Sequence, residues 1–231
     1  MKLQAALDFD YRSTNRGQAE ELSIFWTELA QALVGEARES LDIIEVGTPF
    51  VMEYGLAPVR KLKQAFPEKL ILADLKIADA GYYEAAAAFK SGADIATVLA
   101  VTDDTTIRNA MTAAREYGRS IMVDMLAVPD LPTRLMQVDA LGVDYICLHT
   151  SKDLQRLDQD MSKSFEVLRS YVKNAKLAIA GGINRTTIEK FAAICPDVII
   201  VGEGITGAEN YGEAAAFFKA AMDAVERGER W

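Results

Sequence analysis

Eight short apolar runs, rich in Val, Ile and Leu, recur along the chain. They are Leu3 to Leu7, Leu41 to Val46, Lys69 to Leu75, Ala93 to Leu99, Ser120 to Asp124, Val143 to Leu148, Lys176 to Ala180 and Asp197 to Val201. Continuous apolar sequence is what a parallel strand buried on both faces requires. Between the runs lie alanine-rich or amphipathic stretches of helical character, among them Tyr82 to Lys90, Thr105 to Tyr117 and Glu213 to Glu226. Most strand starts stand about 20 to 30 residues apart, the size of one βα unit. Ser91-Gly92-Ala93-Asp94, Leu141-Gly142-Val143-Asp144 and Cys195-Pro196-Asp197 read as the turns that lead into strands. Eight such units predict an α/β chain folded as a (β/α)8 TIM barrel, with its active site at the C-terminal ends of the strands. A doubly wound open sheet is the competing architecture, and eight strands favour closure. No linker or low-complexity tract interrupts the pattern, so residues 1–231 are expected to form one barrel domain.

Two segments break the regular spacing. The first βα connection, Phe9 to Ser40, is long and opens with the polar stretch Asp10-Tyr11-Arg12-Ser13-Thr14-Asn15-Arg16-Gly17. The sixth, Ser151 to Ala175, is also long and begins with a charged loop. On a barrel both open at the C-terminal face, as lids, as subunit contacts or as plain surface growth.

Composition narrows the partners. The chain has 231 residues and a formal charge of −9, which argues against a nucleic-acid backbone as ligand. A phosphorylated metabolite needs only a few local donors and stays open. The N-terminus fits no signal peptide, and no apolar run approaches a membrane span. Cys147 and Cys195 both sit in apolar, strand-like contexts and read as reduced core residues of a cytoplasmic protein. Two cysteines and one histidine make a structural zinc site a poor fit.

Chemistry gathers at the strand ends. Leu70-Ile71-Leu72-Ala73 runs into Asp74, Lys76 and Asp79, and Gly81 follows. Asp74 and Lys76 are two apart and point to one side of an extended chain. A surface ion pair is the plain reading of that spacing; a site for a metal or a developing anion is the functional one. The other strands end in Asp8, in Glu45, in Thr102-Asp103-Asp104, in Asp124, in His149, in Gly181-Gly182 and in Gly202-Glu203-Gly204. So many acids on one rim repel unless positive charge lies among them. Lys76 supplies one charge and a divalent ion would supply two more. Mg2+ is commonly held by one or two carboxylates plus waters and substrate oxygens, and Glu45 and Asp74, on adjacent strands, are its candidate ligands. The paired glycines after strands seven and eight fit either plain turns or a backbone phosphate site. His149, the only histidine, is either structural or a general base at the barrel mouth.

Assembled, these residues resemble the orotidine-monophosphate-decarboxylase suprafamily, whose signature is the Asp74-x-Lys76-x-x-Asp79 element. Within it the chain is most similar to the 3-hexulose-6-phosphate synthase family. The similarity runs through Leu3 to Asp8, Asp42 to Pro49, Leu72 to Gly81, Val123 to Met125, Gly142 to Thr150, Ala178 to Ile183 and Val201 to Gly207. It implies an aldol reaction in which ribulose 5-phosphate is enolised and its enediolate attacks formaldehyde. By the same resemblance, Glu45 and Asp74 would hold Mg2+, or Mn2+ in its place, and Lys76 would stabilise the developing negative charge. His149 would move the proton at the carbon that becomes nucleophilic. Asp8 would bind substrate hydroxyls and help place Lys76, and Asp124 belongs with the substrate-binding set. Gly181, Gly182, Gly202, Glu203 and Gly204 would take the phosphate, with the Glu203 side chain either facing it, where two anions repel, or turned outward to leave only its N–H. Asp79 would reach the site of a neighbouring subunit, which implies a homodimer.

The sister family, the 3-keto-L-gulonate-6-phosphate decarboxylases, forms the same enediolate by losing CO2. Those enzymes tend to carry arginine where this chain has Lys152 and Glu203. The alternative from another class is a non-catalytic barrel that binds a sugar phosphate or a partner protein.

Overall fold

The computed structural model describes residues 1–8, 19–152 and 162–229, without the side chains of 19–25 and 162. The polar stretch after the first strand and the charged loop from Asp153 to Met161 lie outside the described residues. Strands β1 (Lys2–Leu7), β2 (Ile43–Val46), β3 (Leu70–Ile77), β4 (Ile95–Leu99), β5 (Ser120–Asp124), β6 (Tyr145–His149), β7 (Lys176–Ala180) and β8 (Val198–Val201) pair in chain order. All the pairings are parallel and β8 closes on β1, giving the expected barrel. The helices around it are α1 (Ala19–Ala37), α2 (Thr48–Tyr54), α3 (Ala57–Ala65), α4 (Gly81–Lys90), α5 (Asp104–Tyr117), α6 (Leu131–Ala140), α7 (Ser162–Arg169), α8 (Ile188–Ala192), α9 (Glu203–Thr206) and α10 (Tyr211–Glu226). None of them is long and apolar enough to cross a membrane.

Period-two alternation divides the strands between two cores. Leu3, Ala5 and Leu7 face outward to the helices, in the large apolar layer that also takes Ile44, Val46 and Ile71. The opposite parity fills the barrel interior with Ala6, Ile43, Leu72, Ile95, Met122 and Cys147. Interior positions above that plug, at the C-terminal ends, carry the polar residues.

The even-numbered strands begin later than their apolar runs, each directly after an aspartate: Asp42, Asp94, Asp144 and Asp197. The carboxylate of each accepts the backbone N–H of the preceding strand, from Leu3 (2.9 Å), Ile71 (2.8 Å), Ile121 (2.9 Å) and Leu177 (2.8 Å). The carbonyl of each accepts from the next odd strand, at Leu70 (3.3 Å), Ser120 (3.0 Å), Lys176 (3.0 Å) and Lys2 (2.8 Å). Four aspartates thus stitch the N-terminal rim, satisfying backbone groups that a barrel end would otherwise leave to solvent.

Cys147 lies in the barrel interior as expected, but Cys195 is exposed. It sits in the turn before β8 with φ 53°, where Pro196 follows and the strand has not begun.

Candidate active site

β3 delivers Asp74 and Lys76 to the C-terminal mouth through an irregularity. The β3–β4 register shifts between Ala73 and Ile77, and Lys76 adopts φ 48°. A left-handed non-glycine residue costs backbone energy, so neighbouring contacts must hold it there. The Lys76 N–H donates to Thr97 Oγ1 (2.9 Å), and its ammonium lies 2.5 Å from Asp74 Oδ2.

Asp74 is buried and surrounded by donors. Oδ2 accepts from Thr48 Oγ1 at 2.7 Å as well as from Lys76, and Oδ1 accepts from Thr97 Oγ1 at 2.7 Å. Burial pushes its proton affinity up, but Lys76, Thr48 and Thr97 outweigh it, and the carboxyl falls below its ordinary range. For Lys76, burial disfavours the charge, yet Asp74, Asp124 and Glu45 raise its pKa above the usual lysine value. The pair is therefore ionised at neutral pH.

Glu45, also buried, accepts from Gln4 Nε2 at 2.5 Å. Burial, then Asp74 and Asp8, push its carboxyl well above the ordinary value. Asp8 is raised by burial and by Asp74, against the pull of Lys76, Lys152 and His149. It stands directly over Gly47: a Cβ built there would be 1.8 Å from Asp8 Oδ1. Among the described residues that oxygen is buried without a hydrogen-bond partner.

On the other side of Lys76, Asp124 Oδ2 is 3.7 Å from the ammonium and 2.9 Å from His149 Nδ1. Its Oδ1 accepts from the Leu126 N–H at 2.9 Å. Asp124 is 3% exposed, so its carboxylate is spent on the protein itself. The acceptor at Nδ1 fixes the proton there and leaves a lone pair on Nε2.

The remaining expected residues lie apart. Asp79 is exposed, accepts the Ala80 N–H at 2.7 Å and does not join this cluster. Gly181 and Gly182 take φ 92° and 73°, which an L side chain resists. Glu203 is exposed at the start of α9. Gly204 has a packing reason: its Cβ would stand 2.9 Å from the Phe218 ring of α10. Gly202 has no such constraint, with the nearest atoms 3.9 Å away.

A divalent cation fits this donor set. All the donors are carboxylate oxygens, the choice of Mg2+. Two of the acids, Glu45 and Asp8, are driven towards protonation first by burial and then by neighbouring negative charge, and among the described residues Asp8 Oδ1 is buried and unpaired. A cation beside these carboxylates would offset both. Among the described residues no group of three or more His, Cys, Asp or Glu converges as an ion cage. A Mg2+ site needs only one or two protein carboxylates, the rest being water and substrate.

Sequence reasoning gave no role to Gln4, Thr48 or Thr97. Gln4 shares the parity of Asp8, and Thr97 that of Ile95, so strand alternation alone puts both inside the barrel. A cavity of about 420 Å3 at the opposite end, lined in part by Lys2, Tyr145 and Lys176, lies away from all of these acids.

The family model described as orotidine 5'-phosphate decarboxylase / HUMPS matches residues 1–218. The chain is 44% identical over 219 residues to 3-hexulose-6-phosphate synthase of Bacillus subtilis (strain 168), covering 95% of this chain and 97% of that protein. The crystal structure of 3-hexulose-6-phosphate synthase from Salmonella typhimurium superposes with a TM-score of 0.86 at 35% identity, over 96% of this chain and 98% of that one. That of 3-keto-L-gulonate-6-phosphate decarboxylase from Vibrio cholerae gives a TM-score of 0.78 at 26% identity, over 96% and 97% of the two chains.

Proposed function

The chain belongs to the orotidine 5'-phosphate decarboxylase / HUMPS family, and we propose that it condenses formaldehyde with ribulose 5-phosphate to 3-hexulose 6-phosphate, reversibly, as a lyase of the aldolase kind. Relatives at 35–44% identity over nearly the whole chain bear the name of that activity. The observation that carries the mechanism is the line Lys76, Asp124, His149 across the barrel mouth.

His149 Nε2 takes the proton from C1 of ribulose 5-phosphate, and Asp124 holds the imidazolium that results. The charge that develops on the substrate oxygens meets the Lys76 ammonium, already in place and already charged. The C1 of the enediolate then forms a bond to the formaldehyde carbon. The formaldehyde oxygen, left as an alkoxide, takes back the proton from His149. Asp8, held against Gly47, would accept from substrate hydroxyls. Glu45 and Asp74 would hold Mg2+, or Mn2+, whose contribution when bound is Lewis acidity at the enediolate oxygens.

The phosphate reading rests on the backbone of Gly181 and Gly182 and on the first N–H groups of α9, at Gly202, Glu203 and Gly204. The outward course of Asp79, exposed beside α4, supports a homodimer in which it serves the partner's site. Two unpaired cysteines support a reducing compartment, the cytoplasm.

The test is consumption of ribulose 5-phosphate by the purified protein with Mg2+. Consumption that depends on formaldehyde is expected. No consumption, together with CO2 release from 3-keto-L-gulonate 6-phosphate, would move the activity to the decarboxylase. Binding of ribulose 5-phosphate without turnover of either would leave a non-catalytic barrel.

A further inference from the structure

Gln4 is the polar residue of β1 that the barrel interior has least reason to contain. It is fully buried, and its ladder neighbours are Ile43 and Ile200, both members of the apolar plug. Among the described residues its Oε1 has no hydrogen-bond partner. A buried acceptor left unpaired is unfavourable, and an apolar side chain of the same shape would remove the defect. The amide is turned so that Nε2 donates to Glu45 Oε2 at 2.5 Å. Among the described residues nothing donates to the other Glu45 oxygen, Oε1. One carboxylate oxygen is thus fixed from below and the other is left open.

We propose that Gln4 is a positioning residue for the metal: it clamps Glu45 Oε2 and so presents Oε1 to the divalent ion. The inference rests on the reading of Glu45 as a metal ligand. Outer groups that orient a ligand act on metal affinity by about 10–100-fold when removed. A residue kept for stability alone would leave metal affinity at the wild-type value when replaced. Replacing Gln4 by an apolar side chain of similar length removes the orphaned acceptor but also takes the donor from Glu45 Oε2, so the two effects on the metal-free fold oppose each other while metal affinity falls.

Mn2+ titrated into the full-length protein, followed by electron paramagnetic resonance, tests this. Gln4→Met is expected to weaken Mn2+ binding by about tenfold or more. In a Glu45→Gln background the same change is expected to alter affinity by less than about twofold, because Gln4 acts through Glu45. Gln4→Leu serves equally if the methionine variant does not fold. Wild-type Mn2+ affinity in either variant overturns the role of Gln4. Failure of the wild type to bind Mn2+ at all removes the metal reading of Glu45, and the inference with it.

Discussion

His149 Nδ1 lies 2.9 Å from Oδ2 of Asp124, and the same oxygen stands 3.7 Å from the ammonium of Lys76. One buried carboxylate therefore sets the tautomer of the base and neighbours the cation that receives the developing charge. In Asp124→Asn the amide can present its NH2 group to Nδ1 and move the imidazole proton to Nε2. The base then lacks its lone pair. A fall in kcat of about 10²–10⁴-fold is expected, the usual range for losing a general base, with a smaller change in KM. Steady-state kinetics with formaldehyde and ribulose 5-phosphate would read it, and an unchanged kcat would remove His149 from the proton transfer.

Gly47 is set by Asp8 rather than by a turn. Its φ is an ordinary −64°, so backbone freedom does not require glycine there. Space does, because a Cβ would stand 1.8 Å from Asp8 Oδ1 and 3.3 Å from the Leu7 carbonyl. Gly47→Ala is expected to displace the Asp8 carboxylate and cut kcat/KM by about 10²-fold, as an ångström-scale misplacement does. Gly35→Ala is the control. That glycine lies in α1 with nothing within 4 Å of its Cβ, and the change should stabilise by roughly 0.5–1 kcal/mol without touching kcat/KM.

The barrel was legible from the sequence because its parallel strands are apolar on both faces and stand out as runs. The acids at their ends were legible because charge interrupts those runs. Two things were not. The even strands start at Ile43, Ile95, Tyr145 and Val198, after an aspartate whose carboxylate belongs to the neighbouring strand. A long-range bond of that kind leaves no local signal, and Asp94, Asp144 and Asp197 read as turn residues. The partners of the acids were also hidden. Thr97 and Gln4 reach Asp74 and Glu45 from other strands, and only the inside-outside alternation of a closed barrel sorts such residues from ordinary polar ones; Thr48 reaches Asp74 from the first turn of α2.

The rim aspartates make a stability prediction that is separate from catalysis. Asp144 accepts the Ile121 N–H at 2.9 Å while its carbonyl takes the Lys176 N–H at 3.0 Å. Asp144→Ala removes the first bond and leaves a strand N–H to find water, at a cost of about 1–3 kcal/mol. Asp144→Asn keeps an acceptor oxygen and should lose less. Urea unfolding of both variants checks the order. The distance of this rim from the catalytic mouth predicts an unchanged kcat in either; equal stability of the alanine variant and the wild type would deny the stitch its role.

Asp139, buried at the end of α6, carries an acid-sensitive contact. Its carboxylate accepts from the backbone N–H groups of Lys173 (3.1 Å), Asn174 (3.0 Å) and Ala175 (2.9 Å) and from Asn174 Nδ2 (2.8 Å). Burial raises the proton affinity, but the donors from Ala175, Asn174 and Lys173 outweigh it and hold the carboxyl below its ordinary value. The sign follows from linkage. A carboxyl with a lower pKa in the folded state binds fewer protons there than when unfolded, so its contribution is full above the unfolded pKa of about 3.9. The contribution is lost as pH falls through the lower, folded value. Asp139→Asn cannot titrate, and its unfolding free energy should depend less on pH below about pH 4 than that of the wild type. Urea midpoints across pH 2.5–7 would show the two curves running parallel near neutrality and converging in acid. Parallel curves down to the lowest pH would mean that the loop from Lys173 to Ala175 is held by something other than this charge.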